Sequence, residues 1–407
     1  MSGQEHGPEQ HQGHSGGQVW AHVGQPFAPA HYDLLIVGAG RMGAALARFL
    51  RELAPQLSLL LAEEGGLPNE EGATILAAGV WHAQFAEGQV PEEQRGRAED
   101  TRTLLGDLLN VCGLLELRAG PGVARAGVGF SPISEFWTPE LEGVVDPEVL
   151  PFARLDERAG TYSAGTLALN CANAAIRAGA DLMLNVRAEL CGTTLEGAAS
   201  EGRAQVRLHR LSVTNMHEVV IDHSVNVTAG RLVVAAGAAG PHLAEVGLGV
   251  VTPHRSAYRQ TPRLEVQSTP ASPVLQVNIQ SGELLLRPRD GGYTVIAPAA
   301  HPDPWGYVPT GGRLVGVPVG LRRETLNAVL EVMDGLPALA TEALVPGRSI
   351  ADIPGAWVAL PEGGWPLWEQ LDAAHWLLLG GERADLTGLS VARELAEALA
   401  KAEAPRA

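Results

Sequence analysis

The chain has 407 residues, 45% of them hydrophobic and 18% charged, with a formal net charge of -17. That apolar content supports a sizeable core and excludes a disordered polyelectrolyte, while the acidic balance without a basic stripe excludes a nucleic-acid partner. The three scattered cysteines, Cys112, Cys171 and Cys191, exclude a disulfide framework or a zinc site.

Residues 1–30 are rich in Gly, Gln, His and Pro and read as a disordered tail. The irregular spacing of His6, His11, His14 and His22 favours a solvated segment over a metal site. No signal peptide opens the chain, and no apolar run reaches the roughly 18 residues of a membrane span, so a cytoplasmic location is expected. Order is expected from Tyr32. DLLIVGAG (33–40) reads as a short buried strand, RMGAALARFLREL (41–53) as an amphipathic helix and SLLLAEE (58–64) as a second buried strand. One helix is predicted over Pro91–Leu117 and another from Ala164 to Arg177, ending at Gly179. Residues 205–227 alternate like a small antiparallel meander. LVVAAGAAG (232–240) returns to a buried strand, and residues 253–299 are strand-rich with turns at QSGE and RDGG. A helix over Arg323–Leu336, the strands WVAL and HWLLLGG, and a helix from Leu389 to Lys401 complete the chain. The predicted fold class is α/β with an α+β second domain: a Rossmann-type domain interleaved with a β-rich one.

Gly38-Ala39-Gly40-Arg41-Met42-Gly43 has the form G-x-G-x-x-G, between a buried strand and a helix. The first glycine permits the tight turn, the second lets backbone approach a pyrophosphate, and the third lets helix pack on strand. The helix N-terminus then faces the phosphates. Arg41 is a further candidate for neutralising them. Glu63 stands twenty residues after Gly43 at the end of the next strand, with Glu64 beside it. An acid there accepts hydrogen bonds from an adenosine ribose. The fingerprint leaves NAD and FAD both open.

Three further segments carry a resemblance. GATILAAGV (72–80), RLVVAAGAAGPHLAEVGL (231–248) and LLLGGERADLTGLSVARELAEAL (377–399), in register with the fingerprint, resemble the flavin-contacting segments of the D-amino-acid oxidase-like (DAO) family, in its glycine oxidase and sarcosine oxidase branch. The resemblance covers nearly the whole chain after residue 31. It implies FAD held noncovalently, since no cysteine lies near Gly380. Gly38, Gly40, Arg41, Met42, Gly43, Glu63 and Glu64 would serve the ADP half; Thr74, Ala78 and Gly79 would lie along the flavin. Ala188 would present backbone to the adenine, with Ala236 and Gly237 on the second-half strand. Gly380, Gly381, Arg383, Leu386 and Thr387 would open the last helix under the flavin. An FAD-binding domain of residues 31–84, 156–245 and 357–402 and a substrate domain of 85–155 and 246–356 follow.

The implied reaction is oxidation of a C–N bond in an amine or amino acid, with oxygen or a respiratory chain as acceptor. A homo-oligomer is compatible with it. Trp81, His82 and Arg287 are the candidates nearest the reacting atoms, and Trp305, Trp365, Trp368 and Trp376 enrich the second half in aromatics. Two departures matter. The family's W-x-G-x-R-P motif corresponds to Trp357-Val358-Ala359-Leu360-Pro361 without its Arg, and the Tyr of Y-x-x-P-R falls at Leu285. Asp385 replaces a glycine of the C-terminal motif. Loss of both carboxylate anchors predicts that glycine and small D-amino acids are poor substrates, and it sustains an alternative: a flavin-binding paralogue without amine turnover. Arg287, Arg255 and Arg348 are the candidate replacement anchors.

Overall fold

The computed structural model describes residues 16–401 apart from 23, 28, 71, 84–89, 122–128, 192–202, 217, 300–308, 311–312, 315–320 and 341–354. Its organising element is the strand His31–Val37, whose residues from Leu34 to Val37 are all buried. Burial on both faces explains the unbroken apolar run, as in parallel sheets covered by helices. This strand pairs in parallel with Leu59–Ala62 on one side and with Val219–Val234 on the other, inside a nine-stranded sheet. His375–Leu379 joins in parallel against Leu232–Val234, bringing the C-terminal segment beside the first strand.

Helix α1 (Arg41–Leu53) lies on one face of this sheet, where Ala44, Ala45 and Ala47 are fully buried. Small residues at those positions let α1 pack closely against two later helices, within one core cluster. Helix α2 spans Glu92–Leu105. Helix α3 spans Ala164–Arg177; the Ser163 hydroxyl caps it by accepting from the Thr166 amide at 3.1 Å, and the chain leaves it through Gly179. Helices α4 (Gly240–Leu248) and α5 (Arg323–Val332) follow. The last helix, α6, spans Ala384–Lys401 and buries one side against α1 and α2.

A seven-stranded sheet runs in the order Arg263–Leu264, Gly292–Ile296, Gly282–Arg289, Val274–Ile279, Leu114–Arg118, Phe152–Asp156 and Ser131–Pro132. Alternation sorts its side chains. Leu115, Leu117, Leu275, Val277, Leu284, Leu286 and Val295 pack with Ala328, Val329 and Val332 of α5. The opposite face carries Leu114, Val274, Leu285 and Ile296 against Ala78 and Val80. This mixed α/β architecture agrees with the predicted class.

Several elements differ from expectation. The chain joins the fold before Tyr32: Val19–Trp20 pairs in parallel with Asp181–Met183, and Trp20 is 5% exposed. Its ring meets Phe27 edge-on and its indole N–H donates to the Pro26 carbonyl at 3.0 Å. Burial of that large ring holds a segment whose composition alone reads as disordered; His6, His11 and His14 lie outside the described residues. The helix predicted over Pro91–Leu117 stops at Leu105. Gly106, at φ +50°, breaks it, and Leu114–Arg118 is a buried strand. The antiparallel meander expected over 205–227 is present and larger, with Ala204–Val213 paired antiparallel to both Val219–Val234 and Val186–Cys191, while α6 begins five residues before Leu389.

Candidate active site

The turn after the first strand is built by backbone geometry. Gly38 has φ +104°, and a Cβ there would meet the Ala235 carbonyl oxygen at 2.5 Å, so only glycine fits between the strand end and Ala236. A Cβ on Gly43 would lie 1.9 Å from the Gly38 oxygen, which is why helix and strand can touch there. Gly40 is different: the nearest atom to a Cβ is the Thr74 hydroxyl, at 3.1 Å. That hydroxyl also accepts from the Arg41 amide at 3.1 Å. Helix α1 has no side-chain cap and no acidic residue in its first turn. An uncapped helix N-terminus behind a glycine with open space in front suits an anionic pyrophosphate.

Glu63 is buried and held by three donors. Its Oε2 accepts from the Ala39 amide at 2.6 Å, and its Oε1 from Asn69 Nδ2 at 2.8 Å and the Gly65 amide at 3.1 Å. The carboxylate is thereby fixed beside the glycine turn. Asn69 is a residue the sequence reading missed, with no motif to signal it. Glu64 instead faces Arg187 at 3.1 Å, away from this cluster. Ala188 is buried on the strand Val186–Cys191, whose Val186 amide donates to the Glu63 carbonyl.

The segment Ala78–Val80 brings the second half of the site together. Gly79 has φ +57°. A side chain there would begin 2.2 Å from the Tyr162 carbonyl oxygen and 3.5 Å from Cζ of Arg287. Arg287 donates through Nη2 to that Tyr162 oxygen at 3.0 Å. The Tyr162 hydroxyl in turn donates to Asp385 Oδ1 at 3.0 Å, and Arg41 donates to the same oxygen. Met42 packs where α1 meets α6: a Cβ on Gly388 would come within 3.0 Å of its sulfur. Gly237, at φ +55°, opens a short 3-10 turn after Ala236, and Gly381, at φ +67°, turns tightly against Pro361. Arg383 stacks over Trp365, 4.6 Å from the ring centroid. Leu386 and Thr387 are buried in the first turn of α6.

Burial and charge set the ionisation here. Burial, with Asp385 adding to it, pushes the Tyr162 phenol well above its ordinary value, so it stays a neutral donor. Burial works against the Arg41 cation, but Asp385 and Tyr162 outweigh it and hold the guanidinium charged. Burial lowers the Arg287 value, opposed by the more distant charge of Asp385. Three buried polar atoms at this place lack a hydrogen-bond partner: Asp385 Oδ2, Thr387 Oγ1 and Arg287 Nε. A glycine cradle, an uncapped helix and orphaned polar atoms along one path fit a dinucleotide cofactor.

Two candidates resolve differently. Trp81 is fully buried; its indole N–H donates to the Ala98 carbonyl at 2.9 Å, and Arg102 and Arg158 stack on its ring. It is a core residue under α2, and the expectation that it shapes a substrate pocket is corrected. Its neighbour His82 is also buried. Arg255 is exposed at the start of its strand, while Trp305 and Arg348 lie outside the described residues. Tyr162 carries no sequence signal of its own. Asp385 does, as a carboxylate standing where the family has glycine.

The family model described as FAD dependent oxidoreductase (DAO) matches residues 33–367. Glycine oxidase from Geobacillus kaustophilus superposes with a TM-score of 0.64 at 17% identity, covering 93% of this chain and 96% of that one. L-Amino acid deaminase from Proteus vulgaris gives 0.63 at 14% identity, over 95% and 97% of the two chains. L-Proline dehydrogenase from P. horikoshii gives 0.62 at 15%, over 92% and 93%. A probable malate:quinone oxidoreductase from Synechococcus sp. (strain CC9902) is 46% identical over 70 residues, which is 17% of this chain and 14% of that protein's length. With the family model spanning most of the chain on a fold of the same kind, the protein belongs to the DAO family of FAD-dependent oxidoreductases.

Proposed function

We propose that the protein oxidises a C–N bond of an amine or amino acid. The single observation that supports this best is the meeting of Gly79, Tyr162, Asp385, Arg41 and Arg287 beside the Ala78–Val80 segment. Charged groups gathered next to the segment assigned to the flavin suit a small polar substrate. When bound, FAD would supply the two-electron acceptor for oxidation of the C–N bond, with oxygen or a respiratory acceptor as the final oxidant.

In this reading Gly38, Gly40, Gly43 and Thr74 hold the pyrophosphate, and Glu63 holds the adenosine ribose. Residues 31–84, 156–245 and 357–402 form the FAD-binding part, and 85–155 with 246–356 the substrate part. FAD is held without a covalent bond, because no cysteine lies near Gly380. All three cysteines are free thiols, which suits a cytoplasmic setting. Among the described residues no helix is long and apolar enough to cross a membrane.

The likeness to a malate:quinone oxidoreductase favours a second reading, in which the oxidised bond is the C–O of a hydroxy acid. Anaerobic mixing of the purified yellow protein with a panel of amines, amino acids and hydroxy acids separates the two. Bleaching of the visible flavin band by an amine or amino acid supports the first. Bleaching by hydroxy acids alone supports the second. A flavin reduced by dithionite but by no member of the panel indicates a paralogue without turnover.

A further inference from the structure

Residues 16–22 run along one edge of the nine-stranded sheet, and the fold grips them closely. The Gly17 amide donates to the Ile176 carbonyl at 2.8 Å, and the Gln18 amide to Asp181 Oδ1 at 2.7 Å. A Cβ on Gly17 would lie 1.8 Å from the Ala180 carbonyl oxygen, so only glycine passes there. The Leu182 and Leu184 amides donate to the Gln18 and Trp20 carbonyls at 2.8 and 3.0 Å. Two side chains then latch the segment. Arg210, 2% exposed, donates through Nη1 to the Trp20 and Leu184 carbonyls at 3.2 and 3.3 Å and through Nη2 to the His22 carbonyl. Asn185 Nδ2 donates to the Ala21 carbonyl at 3.1 Å. The printed acceptors of Arg210 are all backbone carbonyls, and its Nε is buried without a partner. Lifting the segment would leave this buried cation with Leu184 alone, a cost that favours all-or-none closure.

The latches also reach the cofactor cradle. Among the described residues Asn185 is the only one besides glycine in the left-handed region, at φ +55°. Its amide donates to the Gly65 carbonyl at 3.3 Å, and its carbonyl accepts from the amide of Leu211, the neighbour of Arg210, at 2.8 Å. The Gly65 amide donates to Glu63 Oε1, and Glu63 Oε2 accepts from the Ala39 amide of the glycine turn. A continuous hydrogen-bonded path thus runs from Ala21 through Asn185, Gly65 and Glu63 to Ala39. The sheet repeats the connection. Trp20, Met183 and Ala62 stand in one row, and the Glu63 amide donates to the Met183 carbonyl at 2.9 Å.

We infer that residues 16–22 form a strap that braces the adenosine end of the FAD cradle, with Asn185 and Arg210 as its positioning residues. Seated, the strap fixes the Asn185 side chain, and Asn185 fixes the Gly65 turn that holds Glu63. Released, it takes the acceptors from both latches and loosens that turn. The inference rests on the reading of Glu63 as the residue that holds the adenosine ribose. Coupling is reciprocal, so bound FAD stabilises the seated strap by the same factor.

Release of FAD from diluted holoprotein, followed by the rise in free-flavin fluorescence, tests the strap. Asn185→Gly keeps the left-handed backbone and removes the latch. It and Trp20→Ala should each release FAD about tenfold faster. Leu284→Ala, a cavity in the core of the second sheet, should lower the thermal midpoint without changing the release rate. Equal acceleration by Leu284→Ala would overturn the strap, by assigning the effect to general destabilisation. Glu63→Ala separates the strap from the reading beneath it. Fast release from Glu63→Ala with wild-type release from Asn185→Gly would overturn the strap alone. Wild-type release from Glu63→Ala would overturn the ribose reading and the strap with it. Should Trp20→Ala not fold, Asn185→Gly and hydrogen exchange decide. Exchange of the Leu182 and Leu184 amides should be several-fold slower in holoprotein than in deflavinated protein, and equal exchange would overturn the coupling.

Discussion

Arg41 and Asp385 form an ion pair across a separation of 344 residues, fastening the start of α1 to the start of α6. The two side chains are 13% and 3% exposed, so neither charge is well solvated. The same carboxylate oxygen accepts from Tyr162, which follows the strand end paired with the Val80 segment. One buried carboxylate thus joins three parts of the chain.

Breaking one side of that pair leaves a buried charge without a partner. Arg41→Met is expected to cost about 3–5 kcal/mol. Arg41→Met combined with Asp385→Leu should recover much of it, since both charges are then gone. Urea unfolding midpoints of the two singles and the double measure the coupling. Additive effects would show that the pair contributes nothing specific.

Gly40→Val should remove FAD, because its branched side chain enters the space that only Thr74 borders. Glu63→Ala should weaken FAD and also release the Ala39 and Gly65 amides that the carboxylate holds. Flavin absorbance per chain after gel filtration reads both. Full occupancy in Gly40→Val would mean that the phosphates lie elsewhere.

Glu116 should make stability depend on acid. Burial would raise its value, but the hydrogen bonds from Arg118 and Arg154, each at 2.6 Å, outweigh that and hold it below 4.5. A carboxyl lowered in the folded state stabilises fully above its unfolded value. That contribution is lost as pH falls through the lower, folded one. Glu116→Gln should therefore flatten the loss of stability as pH falls through and below the ordinary carboxylate range. An unchanged acid slope of the urea midpoint would show that other groups govern it.

Trp20→Ala should destabilise the protein by about 3–5 kcal/mol through loss of a buried ring. The thermal midpoint measures this. A shift within error would return residues 16–22 to the status of a loose tail.

Much of the cradle was legible because each of its glycines has a local reason. Gly38 turns, Gly43 lets helix meet strand, and Glu63 closes the next strand, all within one strand–helix–strand unit. The strand-rich reading of residues 253–299 likewise matches the strands Val274–Ile279, Gly282–Arg289 and Gly292–Ile296 of the second sheet. The Arg41–Asp385–Tyr162 cluster was not legible, because its members come from distant segments and no local pattern requires their meeting. Trp81 misled for a related reason: it follows a flavin-like segment, yet a two-residue strand turns its indole into the core beneath α2. Trp20 was missed because the glycines and histidines around it outweigh one buried ring in any reading by composition.

Acid precipitation of the purified protein separates noncovalently held FAD from every rival. A yellow supernatant containing FAD, one per chain, with a colourless pellet is expected. A colourless protein, a supernatant containing NAD in place of flavin, or colour retained in the pellet through a covalent bond would contradict it.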